Sequence, residues 1–172
     1  MKKIFLALLI LFSASACQSA SQKLYATNLQ RYNAYYTAIL NNEKFLSNSD
    51  NFDISGVMNK LSDTEYRYDV IIDNPRIAMY DIEILVIESG KSLEIASQIM
   101  PNVGIFESSE YNMVPFQTNL KSGFTKGFGL SGTIAKPAVG LKVLVLWRDY
   151  AKVTQKREYF DLSVQYVDQV QE

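Results

Sequence analysis

Alternation of apolar and polar side chains at every second position is the feature that most constrains the fold of this chain. It runs through residues 66–73 and resumes in residues 80–88. A period of two places successive side chains on opposite faces of a β-strand, so each segment predicts a strand. Asp73-Asn74-Pro75 between them is suited to a turn, because asparagine and proline both favour turn backbone. The two segments therefore predict consecutive strands of a β-rich fold.

Two further strands are predicted towards the C-terminus. Residues 141–148 are apolar on both faces, which is typical of a central strand that is covered on both sides, here by the core and by a helix. Residues 159–167 alternate again, which predicts a last strand with one buried face. Residues 149–156 are then expected to form the loop of a hairpin between these strands.

Several short strands with no helices between them predict an antiparallel sandwich or barrel. Residues 66–88 also resemble the immunoglobulin-like modules of bacterial envelope proteins, in which an Asn-containing turn leads into a strand with a Tyr-Asp pair. The matching residues are Asn74, Tyr80 and Asp81. The resemblance implies an immunoglobulin-like β-sandwich, which we expect over residues 52–167.

A helix is predicted ahead of the strands, over residues 22–47. Apolar and aromatic side chains recur there at steps of three and four, which places them on one face of an amphipathic helix. The turn-forming residues 47–51 are expected to end it. We expect this face to pack on the sheet; the alternative is a Tyr-rich face that binds a partner or a second copy. The residues of the face are Tyr25, Leu29, Tyr32, Tyr36 and Ile39.

The first sixteen residues have the composition of a secretory signal peptide. Lys2 and Lys3 precede an apolar run at 4–12 and small residues at 13–16, which is the usual order of a basic start, an apolar centre and a cleavage region. A spanning helix needs about 20 apolar residues, so this run is too short to cross a membrane. We therefore expect residues 1–16 to be removed and the rest to be exported.

The single cysteine of the chain follows this segment directly. Ala14-Ser15-Ala16-Cys17 resembles the lipobox of bacterial lipoproteins, with alanine where that family prefers leucine. The resemblance implies cleavage between Ala16 and Cys17, a diacylglycerol on the Cys17 thiol, and a tether at residues 17–21. It implies a lipid anchor in the outer face of the cytoplasmic membrane or in the outer membrane. The alternative is an ordinary signal peptide with a cysteine near its cleavage point by chance.

Composition excludes several classes of function. The 172 residues include no histidine and one cysteine, so a Ser–His–Asp or Cys–His catalytic site cannot form, nor can a zinc site of histidines and cysteines. The net charge of -1 does not favour nucleic-acid binding, which needs a basic face. We therefore expect no catalytic residue, no cofactor and no nucleic-acid partner.

Residues 127–132 match the pattern GxGxxG, with Asp149 downstream. A dinucleotide site needs a strand before this pattern and a helix after it, but no apolar strand leads into residue 127 and Lys136-Pro137 blocks a following helix. The glycines are interpreted instead as strand and turn positions where backbone approaches closely.

Acidic residues are loosely grouped along the chain. A glycosidase would need two carboxyl groups in one cleft, and a calcium site would need six to eight oxygens. The interpretation favoured here is that these side chains form solvated faces of edge strands. They are Asp69, Asp73, Asp81, Glu83, Glu107 and Glu110.

The function predicted from these features is non-catalytic: a membrane-anchored envelope lipoprotein that binds or supports another envelope component, most simply a protein. One alternative is a module that binds a small ligand or a glycan through exposed tyrosines such as Tyr35, Tyr111 and Tyr150. Trp147 would be a second stacking candidate, although its place in an apolar strand favours the core. The other alternative is a carboxylate-based hydrolase.

Overall fold

The computed structural model describes residues 20–94 and 98–168. The predicted signal peptide, the cleavage point at Ala16 and the lipidation site at Cys17 lie outside these residues. Within the described part, one α-helix, α1 (Ala20–Leu40), precedes seven β-strands. The strands are β1 (Asp53–Lys60), β2 (Tyr66–Asp73), β3 (Tyr80–Glu88), β4 (Asn102–Val103), β5 (Gly127–Ile134), β6 (Ala138–Arg148) and β7 (Gln155–Gln165).

The strands form two antiparallel sheets. One is a three-stranded sheet in the order β1-β2-β5, and the other is a four-stranded sheet in the order β4-β3-β6-β7. The chain passes from one sheet to the other between β2 and β3, between β4 and β5, and between β5 and β6. Two facing sheets with these crossings form an immunoglobulin-like β-sandwich. The predicted fold class, a mainly β sandwich preceded by one helix, is confirmed.

The alternation in the sequence decides which side chains reach the core. In β2, Tyr68, Val70 and Ile72 are buried, whereas Arg67, Ile71 and Asp73 on the opposite face are exposed. The same inward face continues on the partner strand β5 through Leu130, which lies opposite Val70. A period of two therefore gives the three-stranded sheet one face in the core and one face outside it.

The core between the sheets is built around aromatic side chains. Phe52 meets Trp147 edge-on at 5.8 Å between ring centroids and meets Phe160 at 5.7 Å. All three side chains are buried. Because no disulfide is available to a chain with one cysteine, this packing has to hold the sandwich together without covalent help.

The strand β6 is covered on both faces, as its sequence predicted. Val143 and Val145 point into the core between the sheets, whereas Leu144 and Leu146 belong to a second apolar cluster on the outer face of the four-stranded sheet. The helix α1 covers that outer face. The expectation that the helix packs on the sheet is confirmed by its buried residues Tyr32, Tyr36 and Ile39.

The helix is shorter at its C-terminus than the predicted range 22–47. It ends at Leu40 because Asn41 and Asn42 follow, and the Asn42 side chain donates to the backbone oxygen of Lys44 at 2.5 Å. Asparagine competes with helical hydrogen bonds in this way. The next residues leave the helix, and the Leu46 N–H donates to the Tyr159 oxygen of β7 at 2.8 Å.

Three connections lie together at one end of the sandwich. Tyr80, Arg148 and Gln155 are neighbours across β3, β6 and β7, so β3 begins where β6 ends and β7 begins. The segments 74–79, 104–126 and 149–154 leave or enter the strands at this end. We call it the loop end.

The helix α1 is directed with its N-terminus towards the loop end. Its Tyr36 hydroxyl donates to the backbone oxygen of Lys91 at 3.1 Å, beyond the last residue of β3. Its Arg31 pairs with Glu83 at 2.7 Å, near the first residue of β3.

Among the described residues, no helix combines the length and apolar composition that crossing a membrane requires.

Candidate functional site

The outer face of the three-stranded sheet is left open, whereas α1 covers the outer face of the other sheet. Ile71 lies at the centre of this open face, between Ser55 of β1 and Gly129 of β5. Small neighbours on both sides leave the Ile71 side chain exposed. The open face therefore presents an apolar side chain and bare backbone to solvent, which is a surface that a partner can approach closely.

A groove with a volume of about 760 Å³ lies on this face, near the loop end. One wall is the sheet itself, formed by the last residues of β2 and the first residues of β5. The other wall is segment 114–118, which belongs to the long connection between β4 and β5. The apolar residues that line it are Ile71, Pro75, Val114, Pro115, Phe116 and Phe128.

A tight turn shapes the second wall of the groove. The Gln117 N–H donates to the Val114 oxygen at 3.0 Å, which closes a four-residue turn with Pro115 and Phe116 at its centre. Phe116 has a φ of 62°, in the left-handed region that favours glycine or asparagine at this position. Its side chain is fully exposed. A bulky residue held in a strained conformation and in full contact with water is more typical of a binding site than of a structural turn.

The three glycines of the GxGxxG pattern all lie in β5. The nucleotide-binding interpretation is thereby excluded, because the pattern forms a strand rather than a loop before a helix. A Cβ at Gly127 would lie 2.6 Å from the Ile72 oxygen, and one at Gly132 would overlap the Tyr68 ring. Close approach, as predicted, explains these two glycines. A Cβ at Gly129 would meet nothing within 4 Å, so packing inside the chain does not explain the third.

The groove ends at a polar cluster on the same face. Asp69 accepts hydrogen bonds from Ser131 at 2.5 Å, from Asn59 at 3.0 Å and from Arg67 at 3.1 Å. These partners hold its carboxylate in place as a cross-strand contact of the sheet. Asp73 lies apart from this cluster, opposite Gly127, at the edge of the groove.

The other four acidic residues of interest line one polar cleft of about 430 Å³ beside α1. The prediction that the carboxylates form solvated faces of edge strands is wrong for this group, because the β3 strand and the segment after β4 bring them together in one cleft. Three of the four are paired with cations. Their residues are Asp81, Glu83, Glu107 and Glu110.

An ion pair in this cleft fixes the helix to β3. Arg31 of α1 contacts Glu83 at 2.7 Å and donates to the Ile105 oxygen at 2.5 Å. The Tyr35 hydroxyl donates to the other oxygen of Glu83. Burial raises the pKa of Tyr35, and the hydrogen bond to the negative Glu83 raises it further. Tyr35 is therefore a neutral donor that helps to hold the helix rather than an exposed binding residue.

Replacement of Glu83 by glutamine is expected to lower the free energy of unfolding by about 1–2 kcal/mol, because Arg31 and Tyr35 both lose a charged acceptor in a partly buried site. Asp63→Asn is the matched control. It removes the same charge from the exposed pair of Asp63 with Lys60, and little change is expected there. Urea denaturation of both variants measures the difference. Equal losses would contradict the role assigned to Glu83.

A second set of ion pairs connects β3 to the loops. Asp81 lies in an irregularity of β3 with a φ of 49°. Its carboxylate contacts Lys152 at 2.8 Å and Arg148 at 3.7 Å, and Lys152 also reaches Glu110 at 3.0 Å. The cations thus hold the carboxylates as pairs. The ion pairs of the cleft accordingly connect the helix, β3 and two loops within the protein.

The aromatic residues singled out in the sequence have different environments. Trp147 is buried in the core, as its strand predicted. Tyr111 packs edge-on against Phe128 at 5.8 Å, and Tyr150 is exposed. Sequence reasoning missed Phe116; the signal that could have found it is the Pro115-Phe116 pair inside a loop.

Within the described ranges, no group of three or more acidic or cysteine side chains is placed to hold a metal ion.

Comparison with known proteins identifies no family for this chain. No protein-family model matches the sequence, and no curated protein matches it significantly. Among solved structures, the chain is similar to the collagen-binding domain from a Staphylococcus aureus adhesin, with 10% identity over 70% of this chain and 100% of that domain. The TM-score is 0.31. A likeness at this level carries no argument about ligand or function, and the fold assignment stands on the strand order itself.

Proposed function

We propose that the protein is an envelope lipoprotein, anchored by acyl chains on Cys17, that binds another envelope protein through the groove beside Phe116. The observation that carries this proposal is the groove itself, with an exposed aromatic residue on one wall and bare strand backbone on the other. The anchor is supported by the resemblance of residues 14–17 to a lipobox. The module has no catalytic role in this proposal.

The lining of the groove favours binding over chemistry. The ionisable groups among its residues are Asp73 and Lys126, and the chain contains no histidine to act as a general base near neutral pH. The cleft that does gather carboxylates uses them in ion pairs. A surface rich in apolar and aromatic groups with few reactive ones is typical of a protein-binding site.

Phe116 is suited to anchor a partner. Aromatic residues that enter a pocket of the partner account for much of the energy of protein interfaces. Removal of an exposed phenylalanine side chain from water contributes roughly 1.5–3 kcal/mol. Because the turn from Val114 to Gln117 already holds the residue outwards, little further ordering is needed when it binds.

The partner can be recovered by cross-linking the full-length protein in the host's intact envelope. Replacement of Gly129 by valine is expected to lower that recovery at least about tenfold, because valine fills the contact region of the interface. A Cβ at this position meets nothing in the folded chain, so the fold should be unaffected. Thr133→Val is the matched control, because it places the same side chain on the same face of β5, beyond the groove. Equal recovery from both variants would contradict binding at the groove.

Replacement of Cys17 by serine is expected to abolish lipidation and to release the protein from washed membranes, because several acyl chains account for stable anchoring. The measurement is fractionation of the host envelope, with mass spectrometry of the N-terminal peptide of the mature chain. Ser13→Ala, a change outside the four-residue motif, serves as the control. Membrane association that survives Cys17→Ser would disprove the lipid anchor.

A small ligand is the second candidate occupant of the groove. The volume of about 760 Å³ lies in the range of small-molecule sites, about 300–1,000 Å³. A ligand that binds the folded state raises its thermal stability. A specific sugar or peptidoglycan fragment that raises the melting temperature of the wild type but not of Gly129→Val would favour this candidate over a protein.

A further inference from the structure

Two loops at the loop end expose apolar side chains that the fold does not use. Leu120 lies in the short helix Leu120–Ser122 and is 76% exposed, whereas Tyr150 and Val153 lie between β6 and β7 and are 82% and 79% exposed. We call these three residues the apolar tip. Exposed leucine, valine and tyrosine side chains grouped on neighbouring loops are unusual on a surface that meets only water.

Ring contacts join the two loops into one surface. Tyr150 meets Tyr80 at 6.1 Å, and Tyr80 meets Phe124 at 6.3 Å. Phe124 in turn pairs through its backbone with Asn119, the residue before Leu120. Tyr150 and Leu120 are therefore connected through packed residues rather than carried by independent loops. Val153 lies in the same loop as Tyr150, where its N–H donates to the Asp149 carboxylate at 3.2 Å.

The predicted anchor lies at the same end of the molecule. The N-terminus of α1 is directed to the loop end, and Ala20 precedes Arg31 by eleven residues, which is about 16 Å along a helix. Tyr80 precedes Glu83 by three residues, about 10 Å along a strand, and the loops extend beyond it. The first residue of the helix and the apolar tip thus both lie on the loop-end side of the Arg31–Glu83 pair.

The chain between the anchor and the helix is too short to separate them. Two residues, Gln18 and Ser19, lie between Cys17 and Ala20, and a fully extended chain of that length spans about 10 Å at most. The acyl chains therefore enter the membrane within that distance of the start of α1. The opposite end of the sandwich, with the β1–β2 turn at residues 61–65, is directed away from it.

We propose that the apolar tip rests in the lipid interface of the membrane that holds the anchor. This proposal depends on the lipidation at Cys17 included in the proposed function. Leucine and valine enter the boundary between headgroups and acyl chains, and tyrosine is suited to the same depth because its ring is apolar and its hydroxyl is polar. The protein is then held at two places, the acyl chains and the tip, which fixes its orientation.

The charges around the tip indicate an apolar contact rather than an electrostatic one. Lys121 and Lys126 are exposed near Leu120, but Glu107 and Asp149 at the same end carry the opposite charge. Lys152 is already paired with Asp81 and Glu110. Without an excess of positive charge, attraction to anionic lipid adds little, and the contact should persist at high salt.

The test places an environment-sensitive fluorophore at the tip of the lipidated full-length protein. With Cys17 acylated, a cysteine introduced by Val153→Cys or Leu120→Cys is the only free thiol of the chain. Thr64→Cys, in the exposed β1–β2 turn at the far end, is the matched control. Phe116 borders the groove and is left unchanged. The proteins are reconstituted in vesicles of phosphatidylethanolamine and phosphatidylglycerol, with and without brominated acyl chains as quenchers.

Membrane contact predicts a blue shift and loss of emission with brominated lipid at positions 153 and 120, in low and high salt, and neither effect at position 64. Unquenched emission from all three sites on vesicles that retain the protein would overturn the contact and leave the anchor intact. Emission that becomes shielded only in native envelopes would assign the tip to a protein and also overturn it. Protein that fails to float with the vesicles would contradict the anchor itself.

Discussion

Replacement of Trp147 by alanine is expected to lower the free energy of unfolding by about 3–5 kcal/mol. The side chain is 3% exposed and packs edge-on against Phe52 at 5.8 Å. Its removal leaves a cavity in a core that has no disulfide to compensate, because the chain has a single cysteine. Urea denaturation monitored by far-UV circular dichroism measures the loss.

Tyr150→Ala is the control for this prediction, since it truncates an aromatic residue that is exposed rather than buried, and surface changes of this kind usually alter stability by less than about 0.5 kcal/mol. The pair also separates the core role of Trp147 from the alternative in which it stacks on a ligand. A Trp147→Ala protein with wild-type stability would contradict the core role.

Replacement of Gly132 by valine is expected to cost about 3 kcal/mol of stability or more, at the upper end of the range for overpacked cores. A Cβ at this position would lie 2.8 Å from Cε1 of Tyr68 and closer still to the end of its ring. Tyr68 is buried at the centre of the three-stranded sheet. Its ring has no free space to move into, so the sheet itself would have to shift.

Gly129→Val provides the matched comparison, because the same substitution three residues earlier on β5 meets open space. Its stability should equal or slightly exceed that of the wild type, since valine favours strands more than glycine does. The two variants should therefore differ by several kcal/mol. A similar loss of stability in both variants would mean that β5 does not pack against Tyr68 as described.

Those strands that carry a regular alternation could be predicted from the sequence alone. Segment 66–73 alternates throughout and 80–88 alternates in its first half, and residues 141–148 carry apolar side chains on both faces. Their strands and the double cover of β6 could therefore be predicted from the side-chain pattern. β1 and β5 could not be located individually. Their serine, glycine and asparagine residues weaken the pattern, and they are strands because they pair with β2.

The lipidation site at Cys17 is a sequence prediction that depends on a local motif, whereas the groove depends on long-range folding. Phe116 and Gly129 come together because the connection between β4 and β5 passes the open face of the three-stranded sheet. No local pattern encodes that path. The glycine pattern of β5 indicated close backbone approach, but only the fold separates Gly132, which needs it, from Gly129, which does not.

The polar cleft shows the same limit for charged residues. Asp81 and Glu110 are far apart in sequence, but in the fold both pair with Lys152. The expectation of solvated strand faces was therefore wrong for this group. The predicted end of the helix, residue 47, was also wrong. The residues after Leu40 do not differ clearly in composition from the helix, but Asn41 and Asn42 end it there.

Binding of an envelope protein in the groove beside Phe116 is tested by a photo-cross-link from that position. Phe116 is replaced by p-benzoylphenylalanine in the full-length protein, and the host's intact envelope is irradiated. The same amino acid at Val57, exposed on the far strand of the same face, is the control. We expect one reproducible protein adduct from position 116 that is absent from position 57. No protein adduct from position 116, or the same adducts from both positions, would contradict it.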